Sequence, residues 1–183
     1  MKTCFLVVAA IVAHVSMVTG CSCVPSDHQA KYCQSDYVVI ARVIDLTYEE
    51  GDRIYNVDVQ YVYKGNVTKG RVKVRTTASG SMCGVSLREN AVYLLNGEFF
   101  KRQMWISSCG TISFYPVNHP NTFFMFNPYY DCRCKVKNIL LGEKDKKPKW
   151  VCALGNAIQC PPEFGTMAEC RYDKDKDDCD WAC

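Results

Sequence analysis

The sequence predicts a mainly β fold: a small closed barrel of five strands, with a short helix before it and a small cysteine-rich segment after it. Two observations predict the barrel. Stretches rich in β-branched and aromatic residues recur along residues 37–106, and turn residues such as Gly51 and Gly65 separate them. A third observation, 13 cysteines in 183 residues, predicts that disulfides stabilise the chain.

Residues 1–20 have the pattern of a secretory signal peptide. Lys2 supplies the positive charge, residues 5–13 form an unbroken apolar run, and Val18 and Gly20 suit the −3 and −1 positions of a cleavage site. An uncleaved membrane anchor is the alternative, disfavoured because the apolar run ends at His14. We therefore expect a secreted, extracellular protein that begins at Cys21 and has no membrane span.

The cysteine count agrees with cleavage after Gly20. Cys4 leaves with the signal peptide, and the remaining cysteines of the original 13 can form six disulfides with no free thiol. In a cytosolic protein the Cys-X-Cys at residues 21–23 would instead indicate zinc ligands. Because a secreted protein enters an oxidising compartment, the signal peptide favours disulfides over zinc ligands.

Charge excludes one class of partner. The chain has 22 basic and 19 acidic residues, for a net charge of +3, and the basic residues are scattered among the acids. Because a nucleic-acid-binding protein needs a concentrated basic surface, we expect no nucleic-acid partner.

The first element after the signal peptide is a short helix. Ser26 is predicted as its N-cap, with Gln29 completing a capping box, and the helix should run to Cys33. Five strands are then predicted at 37–47, 55–63, 71–75, 91–95 and 103–106. The second strand alternates strictly, and this pattern predicts that Tyr55, Val57, Val59, Tyr61 and Tyr63 share one buried face.

A second region begins near Cys134 and contains six cysteines. It includes a charged run at 143–149, predicted to be a solvated loop, and it is too small to form a strong core without disulfides. The predicted organisation is therefore a signal peptide at 1–20, a main domain at 21–132 and a cysteine-rich C-terminal subdomain at 133–183.

The sequence shows no catalytic set. After the signal peptide only His28 and His119 remain, and neither H-E-x-x-H, G-x-S-x-G nor a P-loop occurs. The acidic stretch at 173–177 resembles the start of a calcium loop but has Asp178 where glycine is required. We expect a protein that is not an enzyme. Asn66, in a sequon at a predicted turn, is a weak glycosylation candidate.

Four motifs together resemble one family. The opening CSCVPSDHQAKYCQSDYVVIARV, then SMCGVSLRENAVYLL, ISSCG and DCRCKV, are similar in order and content to the tissue inhibitors of metalloproteinases. This resemblance implies a netrin-like domain, a five-stranded OB-type barrel with helices. It also implies the disulfides Cys21–Cys83, Cys23–Cys109 and Cys33–Cys132.

The tail resembles the family less. The stretch CRYDKDKDDCDW is similar to the family's closing Cys-X7-Cys-X-Trp and implies a Cys134–Cys179 disulfide. The resemblance leaves four cysteines unassigned, namely Cys152, Cys160, Cys170 and Cys183. A further departure is Asp27, which places an acid near the N-terminus.

The family inhibits zinc metalloproteinases of the extracellular matrix by binding one-to-one in the active-site cleft. For this chain the resemblance implies that the amine and carbonyl oxygen of Cys21 grip the zinc of the target protease, while Ser22 points into a substrate pocket. The remaining expected contacts are Cys23, Val24, Pro25, Ser81, Met82, Cys83, Gly84 and Val85. No cofactor of its own is expected, and matrix components are additional candidate partners.

Two other functions remain open at this point. One is a netrin-like binding module without inhibitory activity, and the other is a structural protein of the matrix or of defence.

Overall fold

The computed structural model describes residues 20–117, 130–137, 149–153, 160 and 168–183. The predicted signal peptide, except Gly20, and most of the charged run at 143–149 lie outside the described residues, as does His119. The elements of the main body are helix α1 (His28–Gln34), strands β1 (Tyr37–Glu49), β2 (Asp52–Lys64) and β3 (Gly70–Thr77), a 3₁₀ turn (Gly80–Met82), and strands β4 (Val92–Phe100) and β5 (Gln103–Trp105).

These five strands form a closed ring in the order β1-β2-β3-β5-β4. All neighbours are antiparallel except β3 and β5, which pair in parallel. The ring encloses a core of aliphatic and aromatic side chains that includes Val39, Val43, Val57, Val74 and Leu95. The prediction of a mainly β protein is therefore confirmed.

A β-bulge changes which residues of β2 face the core. Ala41 pairs with Val59 and Ile40 with Tyr61, so the residue between Val59 and Tyr61 has no partner in β1. One extra residue moves the following side chains to the opposite face. As a result Val62 packs against the core and Tyr61 is 49% exposed. The prediction that Tyr61 continues the buried face is wrong.

Helix α1 begins one residue later than expected. The N-cap is Asp27, whose carboxylate accepts a hydrogen bond of 2.7 Å from the amide of Ala30. A side chain of this kind satisfies one of the free amides of the first turn. The predicted N-cap, Ser26, therefore precedes the cap, and Gln29 takes no part in a capping box.

Gln29 instead connects the helix to the C-terminal region. That region contains two small sheets, one of β6 (Lys135–Lys137) with β7 (Val151–Ala153) and one of β8 (Glu169–Asp173) with β9 (Asp178–Ala182). The Gln29 side chain is buried and exchanges two hydrogen bonds with the backbone of Cys170, at 2.7 and 2.8 Å. A third bond of 3.1 Å reaches the carbonyl of Asp131.

The two small sheets are held together by cysteines more than by apolar side chains. Cys134, Cys152, Cys170 and Cys179 are all buried and form the centre of this region. They pair as Cys134–Cys179 and Cys152–Cys170, and a further disulfide joins Cys160 to Cys183. Within the described residues no helix is long and apolar enough to cross a membrane.

Candidate functional site

The segment Cys21–Pro25, called the arm below, is joined to the protein body by two disulfides. Cys21 pairs with Cys83 and Cys23 with Cys109, with Cα–Cα distances of 4.9 and 5.2 Å. A third disulfide joins Cys33, near the end of helix α1, to Cys132, the last residue of the predicted main domain. Together with Cys134–Cys179, these are the pairs that the family resemblance implied.

Cys83, the partner of Cys21, lies in a tight turn at residues 79–85, called the ridge segment below. Ser79 caps the 3₁₀ turn, and the hydroxyl of Thr77 donates a hydrogen bond of 2.9 Å to the carbonyl of Met82. Cys83 adopts a left-handed backbone conformation with φ of 63°. A Cβ on Gly84 would lie 2.1 Å from the carbonyl oxygen of Thr77, so only glycine fits there.

Cys109, the partner of Cys23, lies in a loop at residues 107–112. Hydrogen bonds of the Asn96 side chain hold this loop in place. This side chain, 1% exposed, donates 2.8 Å hydrogen bonds to the carbonyl of Gly110 and to the hydroxyl of Ser35. Its oxygen accepts a bond of 2.9 Å from the amide of Ile112. Sequence reasoning missed Asn96, because this residue follows the predicted strand at 91–95 and the sequence does not reveal its partners.

A backbone hydrogen bond connects the ridge segment to this loop. The amide of Ser108 donates to the carbonyl of Cys83 at 2.9 Å. The two segments to which the arm is bonded are therefore hydrogen-bonded to each other.

The arm and the ridge segment form one exposed surface. Val24 is 80% exposed and Met82 is 59% exposed. Other exposed members are Ser22, Cys23, Pro25 and Ser81, whereas Cys21, Cys83 and Gly84 are half-buried. This surface brings together nine of the ten residues that the sequence analysis named.

Val85 is the exception, and its placement corrects the prediction. Its side chain is 3% exposed and belongs to the barrel core. Its carbonyl accepts a 3.2 Å hydrogen bond from the hydroxyl of Tyr55. Val85 fixes the end of the ridge segment from inside, and its side chain is not part of the exposed surface.

A groove of about 860 Å³ runs beside the arm, with Val24 and Pro25 in one wall and residues of α1, β4 and β5 in the others. Two charged residues lie in it, the N-cap Asp27 and Lys31 of helix α1. Burial raises the pKa of Asp27, and burial lowers the pKa of Lys31, whose ammonium donates to the carbonyl of Thr111 at 2.9 Å. Asp27 is engaged as the helix cap, so the acid near the N-terminus has a structural role.

The sulfur atoms near the arm are close enough to surround a metal ion, but they are oxidised. The sulfurs of Cys21, Cys23, Cys83 and Cys109 lie within 4.8 Å of one another. Because each belongs to a disulfide, none is a thiolate that could bind zinc.

The glycosylation candidate Asn66 lies exposed in the turn between β2 and β3.

Comparison with known proteins finds similarity to a single family, by a family model and by individual relatives. A family model described as tissue inhibitor of metalloproteinase matches residues 19–181. A metalloproteinase inhibitor 3 from Xenopus laevis is 32% identical over 99 residues, covering 51% of this chain and 46% of that protein. A tissue inhibitor of metalloproteinase from Drosophila melanogaster is 33% identical over 98 residues, covering 50% and 47%. The match therefore spans about half the length of these curated relatives.

Proposed function

This chain belongs to the tissue inhibitor of metalloproteinase family, and on that premise we propose that it inhibits zinc metalloproteinases of the matrix metalloproteinase class. It is a protease inhibitor and not an enzyme. In the proposed complex one inhibitor occupies one active-site cleft in the extracellular space. The inhibitor is active after residues 1–20 have been removed, so that Cys21 carries a free amine.

The zinc of the target protease is the proposed point of attack. A catalytic zinc has three protein ligands and one open position for water. An α-amino group has a pKa of about 7.7–8.0, so releasing its proton to bind the metal costs little near neutral pH. The amine and the carbonyl oxygen of Cys21 together displace the water that would attack a peptide bond. The inhibitor needs no cofactor of its own.

The observation that supports this proposal most strongly is the double tethering of the arm. Cys21 and Cys23 are each bonded to the body, with a single residue between them. A flexible terminus would lose conformational entropy on entering a cleft, whereas a tethered one has already lost most of it. The disulfides thus favour binding as well as stability.

Specificity in this proposal comes from the exposed side chains around Cys21. Ser22 enters the pocket that receives a substrate side chain, and its small size excludes few proteases, which favours broad inhibition. Val24 and Pro25 extend the contact along the arm, and Ser81, Met82, Cys83 and Gly84 extend it along the ridge segment. Val85 supports this surface from the core.

We assign the inhibitory activity to residues 21–132, as a netrin-like module in which the strand ring is an OB-type barrel. The closed order of the five strands supports this assignment. Residues 133–183 are assigned to a separate subdomain, whose described part is linked to the module by the hydrogen bonds between Gln29 and Cys170. Asn66 is a proposed glycosylation site because it is exposed in a turn.

The test is to move the amine without disturbing the fold. One alanine placed before Cys21 shifts the amine about 3.3–3.6 Å along the chain. We expect inhibition of a matrix metalloproteinase to fall by orders of magnitude. The matched control carries the same alanine after Cys183 and should inhibit like the native protein. Circular dichroism and the disulfide map should be the same for all three.

Equal inhibition by the two alanine variants would contradict zinc binding through Cys21. A surface-binding mode would then explain the inhibition. If none of the three proteins inhibited any metalloproteinase, a binding module or a structural matrix protein would be the better interpretation.

A further inference from the structure

The two bridges of the arm are in contact with each other. The sulfur of Cys109 lies 3.4 Å from that of Cys83 and 3.6 Å from that of Cys21, while the sulfurs of Cys21 and Cys23 are 3.7 Å apart. Sulfurs that belong to different disulfides are therefore already at van der Waals distance. An exchange among these four atoms needs side-chain rotation but little movement of the backbone.

This cluster is also accessible. Cys23 is exposed, and the other three cysteines are half-buried. The C-terminal region contains a second cluster, in which the sulfurs of Cys134, Cys170 and Cys179 lie within 4.8 Å of one another. Those residues are at most 2% exposed. Because exchange requires access of a thiolate to a disulfide sulfur, the two clusters differ in the property that controls reactivity.

We propose that the arm cluster is a thiol–disulfide exchange site that takes a small-molecule thiolate at Cys23 and releases the arm from the body. This property goes beyond the proposed inhibitory function, and it holds whether or not the protein is an inhibitor.

The exchange has three balanced steps. A small thiolate attacks the sulfur of Cys23, forms a mixed disulfide with it, and expels Cys109 as a thiolate. After rotation of its side chain, Cys109 attacks the sulfur of Cys83, so that a Cys83–Cys109 bond forms and Cys21 leaves as a thiolate. Cys21 then attacks Cys23, forms a Cys21–Cys23 bond and regenerates the small thiolate. No net oxidation or reduction occurs, and the small thiol acts as a catalyst.

The backbone already places the segments of Cys83 and Cys109 side by side. The amide of Ser108 already donates to the carbonyl of Cys83, so the segments that carry Cys83 and Cys109 are hydrogen-bonded neighbours. In the product both arm cysteines are bonded to each other, and no disulfide joins the arm to the body. The arm then gains the conformational freedom that the native bridges remove.

The experiment follows the bridges by mass. The secreted protein is incubated under anaerobic conditions with reduced glutathione, whose molar concentration is a small fraction of that of the protein. The sample is then acidified, alkylated and digested with trypsin without reduction. Cleavage after Lys31 and Arg88 separates the arm peptide, residues 21–31, from the Cys83 peptide, residues 76–88. In the native protein the arm peptide is joined to the peptides that carry Cys83 and Cys109.

We expect a free arm peptide with an internal disulfide. The Cys83 peptide should then be joined to the peptide of residues 103–133, which carries Cys109 and which Cys132 keeps joined to the Cys33 peptide. The rate should rise about tenfold per pH unit below the pKa of the thiol, because the thiolate is the reactive form. The C-terminal cluster should keep its native pairs over the same time. In the Cys23→Ser/Cys109→Ser double variant the arm peptide should remain joined to the Cys83 peptide.

Two results would overturn the proposal. The first is an arm peptide that stays joined to the Cys83 and Cys109 peptides. This result covers the native pairs and the crossed pairs Cys21–Cys109 and Cys23–Cys83, which have the same mass after digestion and both leave the arm tethered. The second is exchange in the buried C-terminal cluster at the same rate, because accessibility would then not control the reaction.

Discussion

Replacing Gln29 with alanine should uncouple the C-terminal region from helix α1. The buried side chain exchanges two hydrogen bonds with the backbone of Cys170 and donates a third to the carbonyl of Asp131. Without it, the amide and the carbonyl of Cys170 lose these partners in a buried position. Each such group costs about 1–3 kcal/mol, so we expect a loss of about 3 kcal/mol in the free energy of unfolding.

The matched control is Gln34→Ala, the same change at an exposed position of the same helix. For a chain of this size about 3 kcal/mol corresponds to a fall in Tm of about 6–12 °C. Thermal unfolding followed by circular dichroism measures the difference between the two variants. Amide hydrogen exchange at Cys170 should also become faster in the Gln29 variant alone. The reasoning fails if both variants melt within about 1 °C of each other and the Cys170 amide stays protected.

Three further substitutions have definite outcomes. Hydrogen bonds from Arg133 hold the pKa of the Asp131 carboxyl at about 2, below its usual range, so the carboxylate stabilises the fold above about pH 4 and loses this effect as the pH falls to about 2. Asp131→Asn should therefore lower Tm at neutral pH but not at about pH 2, and a pH-independent difference would refute this. Gly97→Ala should strongly reduce stability in a urea titration, because its Cβ would lie 1.8 Å from the carbonyl oxygen of Trp105. Ser22→Gly should change the order of inhibition constants across a panel of metalloproteinases, and an unchanged order would show that this side chain does not enter the pocket.

The strand ring was predictable because its signals are local. Alternating residues and turn residues locate both ends of β1 to β5 to within five residues, and the largest difference is at the end of β4, which was predicted at residue 95 and lies at Phe100. The orientation of Tyr61 was not predictable, since a bulge depends on how two strands pair and leaves no mark in the alternation itself. The position of Val85 was missed for a similar reason. It follows an exposed turn in sequence, but its side chain enters the core.

The arm and the ridge segment could be located from the sequence, but the residues that hold them in place could not. Cysteines at a cleavage boundary and the family motifs pointed to the arm and the ridge segment. Asn96 and Gln29 act through partners that are distant in sequence, and two bonds of Gln29 span 141 residues. The pairing Cys152–Cys170 depends on how two short sheets pack, and spacing alone does not determine it.

The crystal structure of a complex with the catalytic domain of a matrix metalloproteinase tests the central claim most directly, with the zinc located by its anomalous scattering. The account predicts that the amine nitrogen and the carbonyl oxygen of Cys21 both lie within about 2.0–2.2 Å of the zinc and that no water occupies its open position. A zinc that keeps its water, with the amine of Cys21 bound elsewhere, would contradict the account.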